Sequence, residues 1–213
     1  MEITEYQPKK TTAFSSATSF EAAQRMAMAL CTSNMVPQNY QGKQNVGNVL
    51  IALEMAQRIG ASPMAVMQNL YVIHGKPSWS SSFIIAAINQ SGRFKPLQFK
   101  FSGEGENKSC VAHTEDFDGN KYESPAVTMQ MAREEGWSTK NGSKWKTMPD
   151  LMLSYRAAAF FGRLYAPEIL MGMYTEHEQQ DIALNENKDI EITDLSGADA
   201  LLKSIENDNT DDL

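Results

Sequence analysis

A chain of 213 residues, 42% hydrophobic and 21% charged, is long enough to bury one substantial core and has the composition of an ordinary globular domain. Its apolar runs (such as 49–53 and 157–161) are too short for a bilayer, its acidic first five residues do not read as a secretory signal, and two lone cysteines suit a reducing cytoplasm rather than a disulfide framework. The net charge of −7 is unfavourable for a polyanion binder, but it hides a split: residues 1–175 hold 17 Lys/Arg against 14 Asp/Glu, and residues 176–213 hold 2 against 12.

Residues 1–18 are Ser/Thr-rich with Lys9 and Lys10 and are expected to lack fixed structure. Ser19 is expected to cap a helix carrying Ala22, Ala23, Met26, Ala27 and Leu30. Pro37 and Gly42 make 35–44 a loop. A strong helix follows from Asn45, with Val49, Leu53, Ala56 and Ile59 on one face and Gly60 as its stop. Ser62-Pro63 starts a short helix around 65–69. The β-rich run 70–73, a turn at Gly75-Lys76-Pro77 and Ser78-Trp79 then predict a hairpin.

Ser81 or Ser82 is expected to cap a helix carrying Ile84, Ile85, Ala87 and Ile88, ended by Gly92. Residues 93–101 alternate as a strand with one basic face. A hairpin is expected between 109–114 and 121–129 over Asp118-Gly119-Asn120. A short helix near 130–135 ends at Gly136, and a polar loop spans 137–147. Pro149 starts the longest helix, 149–165, which Ala166-Pro167 breaks. Thr175-Glu-His-Glu looks like a capping box for a helix near 176–183, before an acidic tail with one amphipathic stretch at 197–205 (Leu201, Leu202, Ile205). The order predicts an α+β fold: a small antiparallel sheet of hairpins packed against helices, with one long central helix. The division is a flexible N-terminus (1–18), a single domain (19–183) and a tail (184–213).

Catalytic signatures are sparse. The chain has no phosphate-cradling G-x-x-x-x-G-K-[ST] loop, and Gly103-Glu-Gly-Glu reads as a hairpin turn. His74, His113 and His177 are scattered, with no zinc spacing. Glu134, Glu135, Asp150 and Glu168 supply acids without a diagnostic pattern and read as solvated helix faces, so no enzyme activity, cofactor or metal is expected.

Cations and aromatics remain. Tyr71 to Lys76 and Trp79 form one group; Arg93, Phe94, Lys95, Phe99, Lys100 and Phe101 form a second, and no Asp or Glu occurs from Lys76 to Phe101. Trp137, Lys140, Lys144, Trp145 and Lys146, followed by Tyr155, Arg156 and Arg163, form a third. Lys/Arg grooves with interleaved rings suit a single strand, because phosphates recur along it and every base offers a π-face. Phe94, Phe99 and Phe101 are expected to face the sheet's core, while Trp79 and Trp137 could either anchor the core or stack on bases. Lys140, Lys144 and Lys146 crowd a loop that reads as polar. Arg156 and Arg163, two turns apart on one helix face, need partners: carboxylates such as Glu168, or phosphates, which we favour.

Two segments carry a resemblance to a known family. They are 67–94, containing His74-Gly-Lys-Pro-Ser-Trp-Ser-Ser-Ser, and 135–167, containing Gly142-Ser-Lys-Trp-Lys-Thr-Met-Pro-Asp-Leu-Met-Leu-Ser-Tyr-Arg-Ala-Ala-Ala-Phe-Phe-Gly-Arg. Over roughly 20–180 the chain resembles phage RecT-family single-stranded-DNA annealing proteins, related to Redβ-type proteins. The resemblance implies ATP-independent binding and annealing in homologous recombination inside a bacterial host cell. It also implies rings or helical filaments on DNA, annealed duplex as product, a partner exonuclease and a possible host single-strand-binding protein. Lys76, Trp79, Arg93 and Lys95 would belong to the DNA groove, Lys140, Lys144, Trp145 and Lys146 to its basic loop, and Tyr155, Arg156 and Arg163 to its helix. A metal-dependent nuclease and a protein-binding adaptor are the alternatives.

Overall fold

A computed structural model describes residues 12–182. The expected acidic tail, its stretch at 197–205 and most of the 1–18 segment lie outside the described residues. Ser16, rather than Ser19, caps the first helix, α1 (Ala17–Cys31). Its hydroxyl accepts from the Ser19 N–H at 3.1 Å, and the Ser19 hydroxyl accepts from the Ser16 N–H at 2.9 Å. Ser19 is therefore the third residue of a reciprocal cap, and the helix begins one turn earlier than its apolar stripe implies. Two 3-10 turns (Gln38–Tyr40 and Lys43–Asn45) carry the chain into α2 (Val46–Ile59), which Gly60 ends in a left-handed conformation. Ala23, Ala27 and Cys31 bury one stripe of α1, which packs against α2.

Ser62 caps α3 (Pro63–Asn69) by accepting from the Ala65 N–H, with Pro63 at the first helical position. The chain continues into β1 (Leu70–Ile73) and β2 (Lys76–Trp79). Ile73 pairs with Lys76, so the turn is His74-Gly75 and not Gly75-Lys76-Pro77. Both turn residues have positive φ (48° and 77°), the two-residue geometry that matches the twist of hairpin strands. Trp79 leaves the hairpin inward. It is 1% exposed, stacks on Phe83 at 4.6 Å and donates its indole N–H to the Leu170 carbonyl at 3.2 Å. Ser80, one residue before the expected positions, caps α4 (Ser81–Gln90).

The second sheet has β3 (Gln98–Ser102), β4 (Ser109–Glu115) and β5 (Lys121–Glu123) in sequence order, all antiparallel. β6 (Val127–Thr128) pairs with the start of β4, so the single strand expected over 121–129 is split. Pro125 cannot donate to the ladder, and at the break Ser124 bonds β4 instead: its hydroxyl accepts from the Ala112 N–H at 3.0 Å. Strand β3 is also shorter than expected. Phe94 and Leu97 are buried before it begins, and Phe101 is 41% exposed rather than in the core.

Alternation puts Cys110, Ala112 and Thr114 of β4 on the inner face, against α7 (Pro149–Tyr165). Burial raises the Cys110 thiol pKa, partly offset by a hydrogen bond with Ser154 of α7. On another side α7 meets α4 and α8 (Pro167–Leu170), with Gly162 at the closest approach. The result is an α+β domain: two small antiparallel sheets packed against helices around one long central helix. No single helix among the described residues is long and apolar enough to cross a membrane.

Candidate nucleic-acid interface

The site is built from three pieces that converge beside α7. The first is the helix at 176–182. Thr175 caps it as its sequence implied: the Glu178 N–H donates to the Thr175 hydroxyl at 3.2 Å, and the Thr175 N–H donates back to Glu178 Oε2 at 3.1 Å. This cap fixes the Glu178 side chain inward, and Asp181, three residues on, lies on the same face.

The second piece is α7 itself, which carries Arg156 and Arg163 on one face. Arg156 reaches Glu178 at 3.3 Å and Asp181 at 2.5 Å, with its side chain only 7% exposed. Arg163 pairs with the same Glu178 oxygen. The third piece is the segment between α5 (Met129–Glu134) and α7, which contains the short α6 (Lys144–Thr147). Lys140 from this segment pairs with Asp181. Arg163, Glu178, Arg156, Asp181 and Lys140 thus form one alternating chain of charge. Beneath it the Trp137 ring lies under the Arg156 guanidinium, 3.9 Å from its centroid, and packs on Trp145 at 5.3 Å.

This corrects the expected partners. The arginines of α7 are held by Glu178 and Asp181, not by Glu168, which pairs with Arg93, and in this conformation their charge is met before any phosphate arrives. The 137–147 segment is not merely a polar loop either. Trp137 and Trp145 are 8% and 3% exposed, because the Ser143 hydroxyl donates to the Trp137 carbonyl and folds the chain back over both rings. Trp79 and Trp145 are core residues with no ring face open for a base to stack on.

A cleft of about 730 Å³ opens on the outer side of the network, lined by His74, Trp137, Lys140, Lys144, His177 and Asp181 among others. His74 comes from the hairpin turn, so Lys76 of β2 stands two residues from the cleft's rim. Lys144 is exposed, and no ion pair among the described residues involves it. Lys146 lines a neighbouring shallow groove with Arg133 and Thr139.

The remaining candidates lie elsewhere. Lys95 pairs with Glu115 on the outward face of the second sheet, beside Lys100 and Lys121. Arg93 sits over the Phe94 ring and against α8 through Glu168. Tyr155 is half-buried against the core. Among the described residues no three His, Cys, Asp or Glu side chains converge as a metal site, and Asp150 pairs with Lys108 at 2.5 Å.

Sequence reasoning missed Glu178, Asp181, His74 and His177 as parts of the site. The cap signature made Glu178 visible as a helix residue, but nothing local pointed to its partners 15 and 22 positions away. Compared with models of known families, with curated proteins and with solved structures, the chain matches none.

Proposed function

We propose that the protein binds single-stranded DNA along the cleft beside α7 and anneals complementary strands without a nucleotide cofactor, as the RecT-like segments of its sequence imply. The observation that supports this most strongly is the convergence of the basic segment with α7: Lys140, Arg156 and Arg163 belong to one charge network, and Lys144, without an ion pair among the described residues, stands in the same cleft as Lys140. Lys140 and Lys144 contact phosphates from one wall, and Lys76 approaches from the hairpin. Arg156 and Arg163 are the framework that orients this wall.

Such contacts carry no base information, so pairing between the strands supplies specificity. The side-by-side subunits, partner exonuclease and host single-strand-binding protein that the resemblance implies belong to the same proposal. A labelled oligo(dT) followed by fluorescence anisotropy over a salt series tests it. Binding should weaken as salt rises, with a log–log slope of about −0.7 for each phosphate neutralised. No binding at low salt, or an affinity indifferent to salt, would remove the proposal. Loss of intact oligonucleotide on adding Mg²⁺ would favour a nuclease instead.

A further inference from the structure

We propose that Asp181 is a built-in competitor for the DNA backbone, a carboxylate that occupies the phosphate position between Lys140 and Arg156 and must be displaced for a strand to seat. The inference rests on the cleft being the DNA site. Its geometry is independent of that reading. Glu178 and Asp181 share a helix face but differ in what holds them. The Glu178 side chain is 4% exposed, accepts from the Thr175 N–H and hydroxyl, and binds both arginines, so it is locked by four donors. Asp181 is held only by Lys140 and the Arg156 Nη2 among the described residues, and it lines the cleft.

Lys140 and Arg163 are both partly exposed, at 27% and 35%, but their carboxylate partners differ: Asp181 is 14% exposed, whereas Glu178 is 4% exposed and bonded to its cap, so Asp181 is the acid that an entering anion can replace. A carboxylate and a phosphate present similar oxygen acceptors to the same Lys and Arg donors. Asp181 also lies in the acidic part of the chain that begins at residue 176, and it lines the cleft where Glu178 does not. Exchange of partner needs no chemistry: Asp181 releases Lys140 and one guanidinium nitrogen, and a phosphate oxygen takes them.

Competition leaves a salt signature. When a strand binds wild type, the phosphate sheds its counterion but the freed Asp181 gathers one, so the two effects largely cancel. Removing the carboxylate abolishes the uptake. Asp181→Asn should therefore bind oligo(dT) several-fold more tightly than wild type at low salt, with a slope steeper by about 0.7. Adding Lys140→Met to Asp181→Asn should cancel most of the gain.

Hydrogen exchange on the wild-type protein supplies a second readout that does not depend on any variant folding. Amides of 176–182 should exchange faster when oligo(dT) is bound, because the helix has lost one of its two anchors. Equal or weaker binding by Asp181→Asn with an unchanged slope, or unchanged or slower exchange in that helix on binding, would overturn the proposal while leaving DNA binding standing. Absence of oligo(dT) binding by wild type and variant alike would overturn both.

Discussion

Replacing Arg156 with Gln tests whether the charge network is the framework of the site. The Arg156 side chain is 7% exposed and faces Glu178 and Asp181, which are 4% and 14% exposed. Removing one partner of a buried pair costs about 3–5 kcal/mol, mostly because the remaining charge is left without compensation. Here the lower end applies, since Glu178 keeps Arg163 and its cap donors while Asp181 keeps Lys140. The lost stacking on Trp137 adds to it, at about 0.5–2 kcal/mol for a cation over an indole face.

A combined loss of about 3.5–5 kcal/mol corresponds to a melting point lower by about 7–20 °C, at roughly 2–4 °C per kcal/mol for a domain of this size. Urea denaturation and thermal melts measure both quantities. Arg156→Lys should recover only part of the loss, because an ammonium cannot span two carboxylates as a planar guanidinium does. Arg156→Gln combined with Asp181→Asn should be less damaging than the two single losses added together. A destabilisation below about 1 kcal/mol for Arg156→Gln would refute the framework role, for it would mean the pair is as weak as an exposed one.

Two further changes probe the scaffold. A Cβ at Gly162 would stand 2.7 Å from Leu170 Cδ1 and 3.4 Å from Ile88 Cδ1, both on side chains buried to within 2%. Gly162→Ala should therefore destabilise by about 1–2 kcal/mol in urea unfolding, overpacking outweighing the helix-propensity gain of up to about 1 kcal/mol. Asp116 is held below the ordinary carboxyl pKa, first by the Asn120 side-chain amide and then by backbone N–H groups of Asn120 and Asp118 and the Tyr122 hydroxyl. A lowered folded value means its stabilisation is complete above the unfolded value of 3.8 and disappears as pH falls through the folded one. Wild type should thus exceed Asp116→Asn in stability at neutral pH and converge on it under acid, as followed by denaturation at several pH values.

Much of the framework was legible in the sequence because its signals are local. Gly60 had to stop α2, Ser62-Pro63 had to start α3 and Pro149 had to start α7, each for backbone reasons that no tertiary contact overrides. Where two residues could serve the same role, the sequence misled. Serines at 15, 16 and 19 all suit a cap, and only the reciprocal bond between Ser16 and Ser19 decides among them. His74 was not expected to adopt positive φ, so the hairpin turn was placed one residue late.

The site was legible as an ingredient list but not as an arrangement. The spacing of Arg156 and Arg163 placed them on one face. Their partners depended on a return of the chain that sequence separation hides, and the acids at 178 and 181 read only as residues of a capped helix with no partner assigned. Burial of Trp137 and Trp145 follows from the fold of the 137–147 segment around Ser143, a contact with no periodic signature.

Strand annealing is the most direct measurement: two complementary labelled oligonucleotides, no ATP, and wild type compared with Lys140→Ala/Lys144→Ala, whose melting curve checks that it folds. Wild type should accelerate pairing well beyond the spontaneous rate, and the double variant should be at least about tenfold slower, since each charge-assisted phosphate contact contributes about 1.5–3 kcal/mol. Pairing no faster with wild type than without protein would contradict the proposed function outright, and equal rates for wild type and the folded double variant would contradict the cleft as its site.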